Sequence, residues 1–311
     1  MTKRNKDAKK TGTASKYVRP AGYSKQYEEK RRKDGKRCRL GIRKFREILS
    51  SLVDAGHARD IPYVMCLLDM EYRGNSYRRH VEYMDLHPGS VTSYGLKRVP
   101  SKSCLHAAAV RIASWDGAVL TSVLAAQAGK DSRGTLLGDS TGFSIMRYED
   151  WEDAKKGIVS RRMFAKLHVL VRPHGRIAAC QATPGRRHDS PVFRDDLLPR
   201  VPDADGGRRY VILDAAYDSY ANCAAIEDGG RIPVILPRGG YSVRGFNARA
   251  RMLKWYKEDL DGFEKTYHRR SLVEAVFSSI KARFGATVRA MSLPMQSLRL
   301  TLKVFCYNLV N

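Results

Sequence analysis

Tyr210-Val211-Ile212-Leu213-Asp214 is a short run of apolar residues that stops at a carboxylate. A run this apolar, with no polar alternation, suits a strand covered on both faces, as in the parallel part of a sheet. Working outward, Tyr220–Glu227 reads as a helix stopped by Gly229-Gly230, and Ile232-Pro233-Val234-Ile235-Leu236-Pro237 reads as the next strand. Upstream, Thr135–Phe143 is another apolar run meeting a carboxylate, Asp139, among small residues. Lys166–Val171 alternates, Pro173-His174-Gly175 is a turn, and Arg176–Thr183 returns as the hairpin partner. Pro191–Leu198 reads as a short helix. Strand, hairpin, strand, helix, strand, helix predicts an α/β sheet with antiparallel and parallel parts.

Downstream lies Tyr267-His268-Arg269-Arg270-Ser271-Leu272-Val273-Glu274-Ala275-Val276-Phe277-Ser278-Ser279-Ile280-Lys281, free of Pro and Gly. Its apolar residues recur at helical spacing. Each helical residue advances by about 100°, so Tyr267, Arg270, Glu274 and Lys281 fall within about 60° of one another. One carboxylate is thereby flanked by two cations and a phenol. Such a stripe is either a solvated face or a metal-binding carboxylate beside groups that grip phosphate.

Asp139 and Asp214 both end apolar runs, and the carboxyl ends of strands in an α/β sheet form a natural crevice. If the two strands are neighbours, two carboxylates converge there, and Glu274 can reach them from a helix packed across the sheet. Oxygen-only donors suit hard divalent ions, Mg²⁺ or Mn²⁺, and a pair of such ions can activate a hydroxyl on one side of a phosphodiester and stabilise the leaving oxygen on the other. The competing reading of each aspartate is a turn former or helix cap, and Asp218 is a candidate of that kind.

These residues resemble a known pattern. Gly138-Asp139-Ser140-Thr141-Gly142, the apolar run into Asp214, His188-Asp189-Ser190, and above all the Tyr267–Arg270–Glu274–Lys281 spacing are similar to the DDE transposases of prokaryotic insertion sequences. The resemblance covers about residues 133–310. It implies a ribonuclease-H-like mixed sheet flanked by helices, with Asp139, Asp214 and Glu274 catalytic and holding two Mg²⁺ or Mn²⁺ ions. Tyr267, Arg270 and Lys281 are expected to position DNA phosphates or flanking bases. Arg186 and Arg187, in the polar loop before His188, are either DNA contacts or a solvated loop. The implied partner is double-stranded DNA, both terminal inverted repeats and target, held by a homodimer in the synaptic complex. Two alternatives stay open: a metal-dependent DNA nuclease of the same fold, and a catalytically silent DNA-binding protein derived from a transposase.

The remaining chain divides by texture. Residues 1–38 are rich in Lys, Arg, Ser, Thr and Gly and nearly devoid of aliphatics, so they are expected to form a disordered basic arm, either DNA-contacting or solubilising. Residues 39–130 read as a helical domain, with helices at 42–53, Ile61–Tyr72, Tyr77–Leu86 and Leu105–Ile112, the last capped by Ser101 or Ser103. This domain is either a DNA-binding module or a structural cap. Residues 131–311 form the expected catalytic domain, closing on an apolar helix at Leu298–Val310.

Composition agrees. The chain of 311 residues carries 57 Lys and Arg against 32 Asp and Glu, a formal net charge of +25, which points to a polyanionic partner. Its six cysteines are scattered without a CxxC pair, which suits reduced thiols in an intracellular protein. No signal peptide is read, and the longest apolar run, Ala118–Ala128, is too short to span a membrane. The expected location is the cytoplasm, in association with DNA and without membrane attachment.

Overall fold

The computed structural model describes residues 42–54, 56–115, 117–128, 134–145, 163–204, 207–239, 243 and 245–311. The basic arm expected over 1–38 lies outside the described residues. The helices are α1 (42–52), α2 (Ile61–Arg73), α3 (Tyr77–Leu86), α4 (Pro88–Tyr94), α5 (Lys102–Ala113) and α6 (Gly117–Ala128) before the sheet. The strands are β1 (Leu136–Ile145), β2 (Phe164–Val171), β3 (Ile177–Pro184), β4 (Tyr210–Leu213), β5 (Ile232–Ile235) and β6 (Thr287–Val288). Between and after them come α7 (Tyr220–Asp228), α8 (Ala248–Glu258), α9 (Leu260–Tyr267), α10 (Ser271–Phe284) and α11 (Leu293–Val310). The short helix expected at Pro191–Leu198 is a π-widened stretch, Val192–Leu197.

The sheet is mixed, six-stranded and flanked by helices, in the order β3-β2-β1-β4-β5, with β6 also pairing β1. β1, β2 and β3 are antiparallel, whereas β4, β5 and β6 join in parallel. Alternation along β2 sorts side chains to two faces: Leu167, Val169 and Val171 enter one core and Leu170 the other. The first core also takes Phe45, Leu49, Met65, Leu68, Leu105 and the inner faces of α10 and α11. The second lies under α7 and α8, with Phe263 of α9. The N-terminal helices therefore share a core with one face of the sheet.

α11 joins the two halves. Phe305 packs on Phe45 with ring centroids 5.1 Å apart. Asn308 accepts from the Ile177 amide (2.9 Å) and donates to the Ile177 carbonyl (2.8 Å), fastening the helix to the start of β3. The expected apolar helix begins earlier, at Leu293, because Pro294 fits the first turn, where its missing N–H costs nothing. It also carries buried Arg299 and Lys303.

Four further expectations are corrected. α4 is absent from the sequence reading because Pro88–Tyr94 is polar and aperiodic; Pro at its start and Gly95 in the left-handed region after it define it instead. The strand bearing Asp139 does not end there but runs to Ile145, because β2 pairs with it as far as Ser144. The helix expected over 267–281 is interrupted by a 3-10 turn, His268–Arg270, where Arg270 makes a tertiary contact with β1. Asp218 is not a helix cap: Ser219 caps α7 by accepting from the Asn222 amide, leaving Asp218 to pair with Arg249.

Candidate active site

The site forms where the sheet is discontinuous. On one side of β1, Leu136 and Leu137 pair with β4, while Ser144 and Ile145 pair with β6. Among the described residues, the segment between them has no strand partner on that side, and the stretch from Arg270 into α10 packs against β1. β4 pairs with β1 through Leu136 with Val211 and Leu137 with Ile212, which brings Asp214, just past the end of β4, near enough to Asp139 for the two charges to interact. Gly138 permits the approach of these strands: a Cβ there would stand 2.4 Å from the Leu213 side chain. Immediately past Leu213 the chain turns, and Asp214 caps the 3-10 turn Ala215–Tyr217 by accepting from the Ala216 amide at 2.8 Å.

Arg270 bridges two of the predicted carboxylates. Its Nη1 donates to Asp139 at 2.8 Å and its Nη2 to Glu274 at 2.6 Å. Asp139 is largely enclosed, its side chain 18% exposed, whereas that of Glu274 is 58% exposed. Burial pushes the Asp139 carboxyl above the usual carboxylate range and the neighbouring Asp214 charge adds to this, against the Ser140 amide and Arg270, which lower it. Tyr267 is half-buried; burial raises its hydroxyl, which also senses Arg270, Asp214 and Asp139. Lys281, expected on the same stripe, donates instead to Thr141 on β1 at 2.6 Å and lies over the Phe143 ring at 5.4 Å.

The structure thus brings Asp139, Asp214, Tyr267, Arg270 and Glu274 together, with Lys281 at Thr141, two residues further along β1. Glu274 meets Asp139 only through Arg270. Among the described residues no three His, Cys, Asp or Glu side chains are gathered closely enough to hold a metal ion. The chemistry of the donor set nonetheless fits a hard divalent cation: two neighbouring carboxylates, one with its pKa raised by burial and by the other, supply oxygen donors that a single guanidinium only partly satisfies. Arg186 and Arg187 are exposed, and neither is in an ion pair with these carboxylates among the described residues.

Several neighbours escaped the sequence reading. Lys166 on β2 donates to Asp189 at 2.7 Å, and buried His168 lies 3.6 Å from the same carboxylate. Burial lowers His168 to about 4, so it is neutral at ordinary pH. Buried Tyr217 sits among Asp189, Asp139 and Asp214, and burial raises its hydroxyl strongly. The alternation of Lys166–Val171 marked a strand. Nothing local showed which of its residues would face the site.

Among the described residues no helix is long and apolar enough to cross a membrane. No curated protein and no solved structure matches the chain. A family model described as "Transposase DDE domain" matches residues 131–309, more than half of the chain and the whole of the sheet with its carboxylates. The chain belongs to the transposase DDE domain family.

Proposed function

We propose that the protein is a transposase that cleaves DNA at the ends of its element and joins the freed 3′-hydroxyl to target DNA. The observation that carries this reading is Asp214, just past the end of β4, close enough to Asp139 on β1 for its charge to raise that carboxyl, with Arg270 bridging Asp139 to Glu274, in a chain of this family. Residues 131–311 form the catalytic part, of ribonuclease-H-like kind. Helices 39–130 support it and contribute DNA contacts, and the arm at 1–38 adds non-specific attraction for phosphate.

In this reading Asp139, Asp214 and Glu274 hold two Mg²⁺ or Mn²⁺ ions. Bound there, such ions supply Lewis acidity for the attacking and leaving oxygens of an in-line displacement. The protein's own groups do the rest. Arg270 is a planar donor already spanning Asp139 and Glu274, and it turns part of its hydrogen bonding to a backbone phosphate as the carboxylates take the cation. Lys281 and Tyr267 steady the strand on either side, while Arg186 and Arg187 extend the cationic rim. Two such sites acting on two element ends make a homodimer the working form, in the cytoplasm on the host's DNA.

Glu274→Gln tests the reading. The substitution keeps the side chain's size and the helix, and removes the charge. End binding should be intact or tighter, with cleavage and joining nearly abolished; chelation should have the same effect on the wild type. Wild-type cleavage by the variant, or full cleavage in EDTA, rules the mechanism out. A labelled-end joining assay separates a transposase from a nuclease of the same fold, which cuts but never joins.

A further inference from the structure

At the far end of α10 from the carboxylates lies a cavity of about 390 Å³, between the α2–α3 turn, the α10–β6 turn and α11. Its lining carries Arg73, Arg283, Arg289, Arg299 and Lys303 against a single carboxylate, Glu71. Two of these cations are deep: the Arg299 side chain is 8% exposed and that of Lys303 5%. Both draw on Glu71, Arg299 through Nη1 and Lys303 at 3.6 Å. Lys303 also donates to the carbonyl of Phe284, and at 3.4 Å to that of Gly285, whose left-handed φ of 80° turns the chain there. One carboxylate cannot neutralise two buried cations, and Arg299 Nε has no hydrogen-bond partner among the described residues.

The rim strengthens the imbalance. Arg73 is paired with Asp69 at 2.6 Å, but neither Arg283 nor Arg289 is in an ion pair among the described residues, and both are exposed. The amino end of α3, a helix of 10 residues capped by Ser76, also opens on the cavity. Helix-end amides and guanidinium forks are the donors that phosphate oxygens select. A structural weld between α2 and α11 needs only Arg299 and Glu71; it has no use for two rim arginines that make no ion pair among the described residues.

We propose that this cavity binds a phosphate group, supplied by the DNA backbone if the transposase reading holds, or otherwise by free phosphate. From Glu274 to Arg283 the helix rises about 14 Å, roughly four base-pair steps along a duplex. A phosphate held here therefore belongs to DNA flanking the reacting position, and fixes its register on the protein.

The test uses the full chain. Arg283→Ala with Arg289→Ala removes the two rim arginines that lack an ion pair without touching the core, and Lys254→Ala with Lys257→Ala on α8 removes equal charge elsewhere. Thermal unfolding is followed with inorganic phosphate and with pyrophosphate, and DNA affinity is measured across salt concentration. Phosphate also stabilises proteins by exclusion from their surfaces, so the readout is the difference between variants. The expected result is stabilisation of the wild type and the α8 variant that is lost in the rim variant, with the rim variant's salt slope for DNA shallower by about 1 to 2. Lost stabilisation with an unchanged slope supports the phosphate site and overturns DNA as its source. Equal stabilisation of all three proteins overturns the proposal. Failure of the transposase reading shows separately, as cleavage by Glu274→Gln.

Discussion

Two arginine–aspartate pairs lie close to the candidate site, and they behave in opposite ways. Asp218 takes both forks of Arg249, at 2.7 and 2.8 Å, and the Arg238 amide at 3.2 Å. Its side chain is 2% exposed. Burial alone would raise its carboxyl, but these hydrogen bonds hold it below the usual range. Asp139 accepts from one nitrogen of Arg270, whose other terminal nitrogen goes to Glu274, and it lies near Asp214; its carboxyl is raised. The difference is one of saturation. Asp218 has a whole guanidinium and no competing carboxylate, so its pair is complete and structural. Asp139 belongs to a group of three carboxylates with one arginine among them, a shortage of positive charge that a divalent cation and a DNA strand can together make good.

Breaking the saturated pair should have the largest effect on stability. Arg249→Ala leaves a buried, uncompensated carboxylate and should cost about 3–5 kcal/mol in denaturant unfolding. The same pair sets a pH dependence. Because the folded-state pKa of Asp218 is depressed, its contribution is present above the ordinary value of 3.8 and is lost as pH falls through the folded value. The wild type should therefore lose stability on acidification below about pH 4 more steeply than Arg249→Ala does.

The unsaturated group should answer in activity instead. Asp139→Asn should reduce cleavage by at least about 10²-fold while the fold persists, since removal even of groups that support a metal ligand costs about 10–100-fold. Unaltered cleavage would place the chemistry elsewhere. Arg270→Ala should cost less, about 10-fold or more in cleavage, and should weaken DNA binding as well, because its donors serve both. The smallest effect concerns titration. Divalent-ion binding, followed by calorimetry, should weaken on acidification from a pH above that at which an ordinary aspartate protonates, because Asp139 must lose its proton first. Binding that holds down to the usual aspartate range removes Asp139 from the ligand set.

The chain's own pattern shows much of this. Asp214 closes an apolar run in the sequence and stands just past the end of β4 in the structure. Arg270 and Glu274, four apart, meet as helical spacing requires, even though Arg270 belongs to a 3-10 turn. The hairpin of β2 and β3, and the capping of α5 by Ser101, are local matters of alternation and turn chemistry. Such features depend on residues within a few positions of one another, and the sequence carries them directly.

Other features needed the tertiary structure, because their partners are far apart in the chain. That Asp139 lies mid-strand depends on how far β2 follows β1. Arg270 reaches it from 131 residues away, and Lys281 reaches Thr141 from 140. Asp218 looks like a cap until Arg249 arrives from 31 residues downstream. The charged cavity rests on Arg299 meeting Glu71, 228 residues before it, in a helix whose sequence reads as simply apolar. Periodicity fixes which face of an element is apolar. Which charges then meet across the gaps is set by packing, since a buried ion must find a partner wherever the fold brings one.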